Sequence, residues 1–162
     1  MSSFPSLPKF PIRNAARAII EKEGKVLLVK FDDEHGLHYN WPGGGQNFGE
    51  TVEENLYREI WEEAQARVEI ERLFCTYEHM VSEEIVQQGQ PQSFSMIFLC
   101  KLIDGYAPHL PDTPDPYEID VEWIPIDELH EHWVLPDITD AVQAWHHGKV
   151  IGIPFIVNRE EA

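Results

Sequence analysis

Trp41-Pro42-Gly43-Gly44-Gly45 places a proline and three successive glycines in a row, which permit backbone paths and close approaches that side chains would forbid and predict a break in regular structure. Shortly after stands Thr51, with Glu54 three positions on, the pattern of a capping box in which each side chain satisfies a backbone donor of the other. Val52, Leu56, Ile60 and Ala64 then recur at spacing four, so the helix that begins here lays one apolar stripe on a core. The chain is thus obliged to pass through a bare-backbone segment and enter a helix whose buried face is already chosen.

The same register places the acids of that helix. Each residue turns by about 100°, so Glu59 and Glu63 point within roughly 40° of one another and Glu62 lies about 60° from Glu59. Measured from Val52, Glu59 and Glu63 fall at the edge of the core-facing stripe rather than on the solvated side. Like charges at these spacings destabilise a helix by a few tenths of a kcal/mol per pair, and partial burial adds to the cost. Taken without its spacing, the run Glu50, Glu53, Glu54, Glu59, Glu62, Glu63 is explained by a solvated acidic face in a Glu-rich chain. Its position beside the core calls instead for a compensating charge. Mg²⁺ supplies one, because it is commonly held by a few carboxylates together with substrate phosphates. Arg58, four residues before Glu62, is placed to orient that carboxylate by a charge-assisted hydrogen bond.

Around this segment the chain reads as one α/β domain. With 162 residues, 43% of them apolar, there is material for one core and little for two, so the expectation is an extended arm at residues 1–12, containing Pro5, Pro8 and Pro11, and a single domain at 13–162. Ala15 to Phe31 reads as a β-hairpin, 32–39 as a polar loop, and Val68–Tyr77, Ser93–Leu102 and Val121–Ile124 as strands. Residues 81–92 read as a polar connection, 108–116 as a proline-rich loop and Asp137–His147 as a second helix. This mixture predicts an α/β sandwich on a mixed β-sheet rather than a strict βαβ wind. Cys75 and Cys100 lie in apolar stretches without metal spacing and read as buried, reduced core thiols.

Charge excludes one class of partner. Against 12 Lys and Arg stand 29 Asp and Glu, a formal charge of −17 that repels a nucleic acid polymer. A small anionic substrate stays compatible, since a bound divalent cation reverses the field locally. No basic leader precedes an apolar run and no stretch approaches the roughly 18 apolar residues of a membrane span, so the expectation is a cytoplasmic protein away from membranes.

The positions Gly44, Glu50, Arg58, Glu59, Ile60, Glu62 and Glu63 resemble the signature of the Nudix hydrolase superfamily. Trp41-Pro42-Gly43-Gly44-Gly45, the first hairpin and the stretch Glu122 to Leu129 are similar as well, so the likeness spans roughly residues 13 to 130. One position departs: Gln65 stands where the signature has glycine, followed by Ala66 in place of a larger apolar residue. A left-handed residue there costs a non-glycine side chain about 1 kcal/mol, unless the helix exits differently.

The resemblance implies a Nudix-like α/β/α sandwich and a Mg²⁺-dependent hydrolase, with Mn²⁺ as the alternative ion, that cuts a phosphoanhydride bond in a nucleoside diphosphate linked to another moiety by water attack at phosphorus. Carried over residue by residue, Glu59, Glu62, Glu63 and the Gly43 carbonyl become the metal ligands, supported by Glu50 and Arg58. The general base stays open between Glu62 and Glu59 in the motif and Glu118, Asp120 or Glu122 from a distal loop. Arg17, Trp41, Gly44, Gly45, Glu118 and Glu122 are the substrate-binding candidates, with Arg13 an alternative phosphate contact. For Tyr39, Trp41, Phe94, Tyr117 and Trp123 an ordinary core role competes with base stacking. A sensor of the same fold that binds a nucleotide without cutting it is the competing function, motivated by Gln65. A homodimer is compatible with the arm and the exposed strands.

Overall fold

The computed structural model describes residues 9–149 and 152–160; most of the arm at 1–12 lies outside this range. Lys9, just inside it, is paired with Glu83 at 2.9 Å. The first two strands, β1 (Arg13–Lys22) and β2 (Lys25–Asp33), form the expected hairpin, with Glu21 opposite Val26 and Lys22 opposite Lys25. β3 (Gly36–Asn40) returns antiparallel to β2, and β4 (Gly43–Gly45) pairs antiparallel with β1. Helix α1 (Val52–Ala64) follows, then β5 (Val68–Val81), the short α2 (Glu83–Gln87), β6 (Ser93–Leu102) and β7 (Glu118–Pro125). A 3₁₀ turn at Ile126–Glu131, β8 (Val134–Leu135), α3 (Thr139–His146) and β9 (Phe155–Glu160) complete the described chain.

The strands form a mixed sheet in two wings joined by the β1–β2 hairpin. One wing runs β4-β1-β6-β5-β9, with β1 parallel to β6 and β9 parallel to β5. The other runs β8-β3-β2-β7. Alternation along β1 divides its side chains between two cores, because successive residues of a strand point to opposite faces. Ala16, Ala18 and Ile20 meet Leu56, Ile60 and Ala64 of α1 on one side. Ile19 joins Phe74, Trp41, Ile97 and Val142 on the other, beneath α3. This is the expected α/β/α sandwich. Cys75 and Cys100 are buried free thiols, one in each core, and burial pushes both up to about 12.

Several boundaries differ from the sequence reading. Residues 36–40 are strand, not loop, because His38 and Tyr39 turn inward against Trp133 and His132. The triple glycine is itself a strand, held only through its backbone, so no side-chain pattern announces it. β5 continues to Val81, and the connection beyond it contains α2, capped by the Ser82 hydroxyl accepting from the Ile85 N–H. β9 is mostly exposed and so lacks the alternation that marks a strand.

The capping box of α1 forms as expected, Thr51 accepting from the Glu54 N–H at 3.1 Å and Glu54 from the Thr51 N–H at 2.7 Å. At the other end Gln65 adopts the left-handed conformation (φ 49°, ψ 36°), and both its N–H and its side-chain amide donate to the Trp61 carbonyl. The glutamine thus closes the helix where the signature glycine would. Gln65→Gly relieves the left-handed strain and forfeits the side-chain bond, so the expected net effect in urea unfolding is a gain of under about 1 kcal/mol, with the helix register unchanged.

Candidate active site

The glycine strand β4 passes directly beneath the acidic flank of α1. The Gly43 N–H donates to Glu63 Oε2 at 2.8 Å, and Glu63 is only 8% exposed. Glu59 lies against the next residue: a Cβ at Gly44 would stand 2.6 Å from its carboxyl carbon, so a side chain there would displace the Glu59 carboxylate from this position. Asn55 secures the strand from α1 as well, its amide donating to the Gly45 carbonyl at 3.0 Å.

Arg58 organises the remaining acids. Its guanidinium binds both oxygens of Glu50, Glu59 at 2.9 Å, Glu62 at 3.0 Å and the Gly45 carbonyl at 3.1 Å. From β1, Arg17 reaches the Trp41 carbonyl at 2.9 Å and the Gly43 carbonyl at 3.5 Å. Two arginines therefore grip the glycine segment from either side while four glutamates surround it.

The electrostatics follow from burial. Desolvation pushes Glu63 up to about 8, against the pull of the Gly43 hydrogen bond and of Arg17, with the Glu59 and Glu118 charges adding to the rise. Glu59 is also raised by burial, and Glu118 is pushed up to about 7 by burial, with Asp115 and Glu59 contributing. Glu50 moves the other way because Arg58 and the Asn47 N–H hold its ionised form. Burial lowers Arg17, opposed by Glu63 and Glu59, while the Glu50 bond holds Arg58 above its ordinary value.

The distal carboxylates separate clearly. Glu118 is buried and shares the electrostatic neighbourhood of Glu59 and Glu63. Glu122 is instead engaged by Lys30 at 2.7 Å and by the Tyr39 hydroxyl at 3.0 Å, which lower its pKa. Asp120 caps the Val121 N–H.

Comparison with known proteins agrees with this arrangement. The family model described as NUDIX domain matches residues 11–144. The chain belongs to the Nudix family. A MutT-like protein of Streptomyces ambofaciens is 27% identical over 118 residues, which is 73% of this chain and 66% of that protein, so the chain spans just under two thirds of its length. A Nudix hydrolase structure from Nitrosomonas europaea superposes with a TM-score of 0.71 at 23% identity, covering 95% of this chain and 82% of that one. An ADP-ribose pyrophosphatase from Streptococcus suis superposes with a TM-score of 0.61 at 19% identity, covering 91% and 100%. At these identities the structures establish a shared Nudix fold.

Within the Nudix frame two substrate-binding candidates need correction. Trp41 is fully buried and its indole N–H donates to the Pro136 carbonyl at 3.0 Å, so no ring face is left for a base. Glu122, tied to Lys30 and Tyr39, belongs to a β2–β3–β7 contact rather than to the glycine strand. Tyr39 is core, while Tyr117 is exposed in a left-handed conformation (φ 74°) next to Glu118. The sequence reading missed Trp133, which with Arg17, His38, Tyr77 and Asn158 lines a cavity of about 500 Å³. These residues come from β1, β3, β5, β9 and the segment before β8, and nothing in their local spacing links them. Among the described residues, no helix is long and apolar enough to cross a membrane.

The raised carboxylates carry a pH signature. In the metal-free protein Glu63 and Glu118 keep protons that the unfolded chain releases near 4.5, so the folded state binds more protons from there up to about 8. Their contribution to stability is complete below that window and is lost as pH rises through it. The melting temperature without divalent ions is expected to fall by several degrees between about pH 5 and pH 8, and Glu63→Gln to remove most of that slope in a calorimetric series.

Proposed function

We propose that this protein is a Mg²⁺-dependent pyrophosphohydrolase, with Mn²⁺ as an alternative ion, that cleaves a phosphoanhydride bond in a nucleoside diphosphate linked to a second moiety. The observation that carries the reading is the pair of half-buried Glu59 and buried Glu63, set against Gly44 and Gly43 with their ionised forms disfavoured.

The residues suit a hard divalent cation. Every donor is oxygen: the carboxylates of Glu59, Glu62 and Glu63 and the Gly43 carbonyl, with Glu118 close by. Among the described residues no three acidic, histidine or cysteine side chains already stand in a ready-made ion cage. Arg58 holds Glu59 and Glu62, and the Gly43 N–H holds Glu63, so the carboxylates are distributed among positive partners. Glu62 is the most exposed of the three, which leaves it free to turn. When bound, the ion neutralises the diphosphate and acidifies a coordinated water.

The chain's own groups supply the rest. Glu50 holds Arg58, and Arg58 in turn orients Glu59 and Glu62, so this pair positions the acids. Glu118, poised near neutrality by burial, is the distal carboxylate best suited to accept a proton from the attacking water. Arg17 steadies the glycine strand and borders the 500 Å³ cavity, where Trp133 offers a ring for the nucleoside. The sensor alternative loses its motive, because Gln65 closes the helix in the required conformation and leaves the acids in register.

A panel of nucleotide sugars, ADP-ribose, nucleoside triphosphates and dinucleoside polyphosphates is expected to yield a Mg²⁺-dependent hydrolysis abolished by chelation. Glu63→Gln is expected to lower kcat by about a hundredfold or more, the scale at which loss of one well-placed electrostatic group is felt. Unchanged turnover in that variant, or no turnover of any member by the parent protein, rules the reading out. Glu118→Gln is expected to remove the acidic limb of the kcat/KM profile near pH 7; a retained limb assigns the base elsewhere.

A further inference from the structure

The last described strand forms one wall of the 500 Å³ cavity. β9 lies beyond residue 144, where the Nudix match ends, so the match does not account for what this strand adds. Side chains alternate between the faces of a strand, and Ile156 packs on the core beneath α3. Asn158 and Glu160 therefore stand on that face too, further along, where they line the cavity. Asn158 is level with His79 of β5 and Ser93 of β6. Across the sheet β9 is three strand spacings, roughly 14 Å, from β1, which carries Arg17.

His79 fixes the polar groups of β9. Its Nδ1 accepts from the Asn158 amide at 3.2 Å, and its Nε2 stands 3.1 Å from Glu160. A ring that accepts at Nδ1 and donates from Nε2 is uncharged, so the trio keeps the single charge of the Glu160 carboxylate. Charge around the cavity agrees. Among the described residues lining it, Arg17 is the one permanent cation, and it is drawn to the Trp41 and Gly43 carbonyls. Against it stand two carboxylates, Asp33 and Glu160, while His38 donates its Nδ1–H to the Gly36 carbonyl at 3.0 Å. The end near the glycine strand thus suits phosphate, and the β9 end suits an uncharged group that donates hydrogen bonds.

We infer that β9 is a selectivity wall: Asn158 and Glu160, set by His79, accept hydrogen bonds from the uncharged end of the nucleoside and repel a nucleoside that bears a further phosphate. Selection of this kind works by repulsion as much as by attraction. The inference rests on the hydrolase reading, with the nucleoside in this cavity, and narrows the substrates to those whose nucleoside carries no phosphate of its own beyond the diphosphate.

The test takes the panel substrate that the parent protein hydrolyses fastest with Mg²⁺. Competitive inhibition is measured with the matching nucleoside 5′-monophosphate and with the same nucleotide carrying an added 2′-phosphate. In the parent the added phosphate is expected to raise the inhibition constant about tenfold or more. Glu160→Gln is expected to cut that ratio to about threefold, and Glu160→Lys to bring it to about one or below. Asn158→Ala is expected to raise the substrate KM about fivefold while kcat moves less than about twofold. Arg159→Ala, on the opposite face of β9, is expected to leave KM, kcat and the ratio as they are. Equal inhibition by the two nucleotides in the parent, no inhibition by the 5′-monophosphate, or a ratio that survives Glu160→Lys overturns this inference and leaves the hydrolase reading standing. An Arg159→Ala effect as large as that of Asn158→Ala does the same. No turnover of any panel member overturns both.

Discussion

The hydrogen bond from the Gly43 N–H to the buried Glu63 carboxylate is the contact on which the site depends. It ties the last turn of α1 to a strand with no side chains, and it does so in a place where an ionised carboxylate is costly. Everything nearby is arranged around that cost. Glycine at 44 lets Glu59 lie on the backbone, Asn55 and Arg58 both hold the Gly45 carbonyl, and Arg17 approaches from the opposite side. The strand is thereby clamped at successive residues, so a group approaching the acids meets a rigid floor rather than a loop.

That clamp explains the conflict within α1 between local stability and placement. Glu59, Glu62 and Glu63 repel one another at one-turn spacing, and the helix offers no basic residue in its last turn to offset them. The capping box at Thr51, the apolar stripe of Leu56, Ile60 and Ala64, and the Gln65 closure hold the helix despite this repulsion. Arg58 absorbs part of it by sitting among Glu50, Glu59 and Glu62. A sequence that breaks a local rule at one point and supports it on every side is what a functional site is expected to show.

The same distinction accounts for what could be read in advance. α1, its cap and the acid register were legible because helical periodicity and capping chemistry are local. The hairpin β1–β2 and strands β5, β6 and β7 were legible from runs of apolar and β-branched residues. β4 was hidden because three glycines carry no pattern, and β3 because its inward residues, His38 and Tyr39, are adjacent rather than alternating. That Glu118, rather than Asp120 or Glu122, is buried beside Glu59 and Glu63 was likewise out of reach. All three lie on one strand, and only the pairing of β7 with β2, which β3 flanks on its other side, sends Glu122 to Lys30 and Tyr39. Trp41 misled for a related reason: a tryptophan beside glycines reads as a binding residue until the fold places it under Pro136.

A formal charge of −17 looks unsuited even to a small anion, but for a ligand of that size the charges close to the site matter more than the total. At physiological ionic strength the Debye length is about 8 Å, so acids scattered over the surface are largely screened at the site. What acts there is close at hand. Three of the chain's 12 basic residues, Arg13, Arg17 and Arg58, converge on the three-residue strand β4. Burial disfavours the ionised forms of the acids beside them, raising Glu59 and pushing Glu63 up to about 8 and Glu118 up to about 7. The local field is therefore set by arginines on a rigid backbone and by carboxylates whose charge is conditional. On the proposed function, an anionic substrate and a divalent cation would favour each other's binding: the cation would draw the carboxylates into their ionised form, and the phosphates would offset the cation. This mutual dependence follows from the depth at which Glu63 is buried, and a surface glutamate in the same register would not produce it.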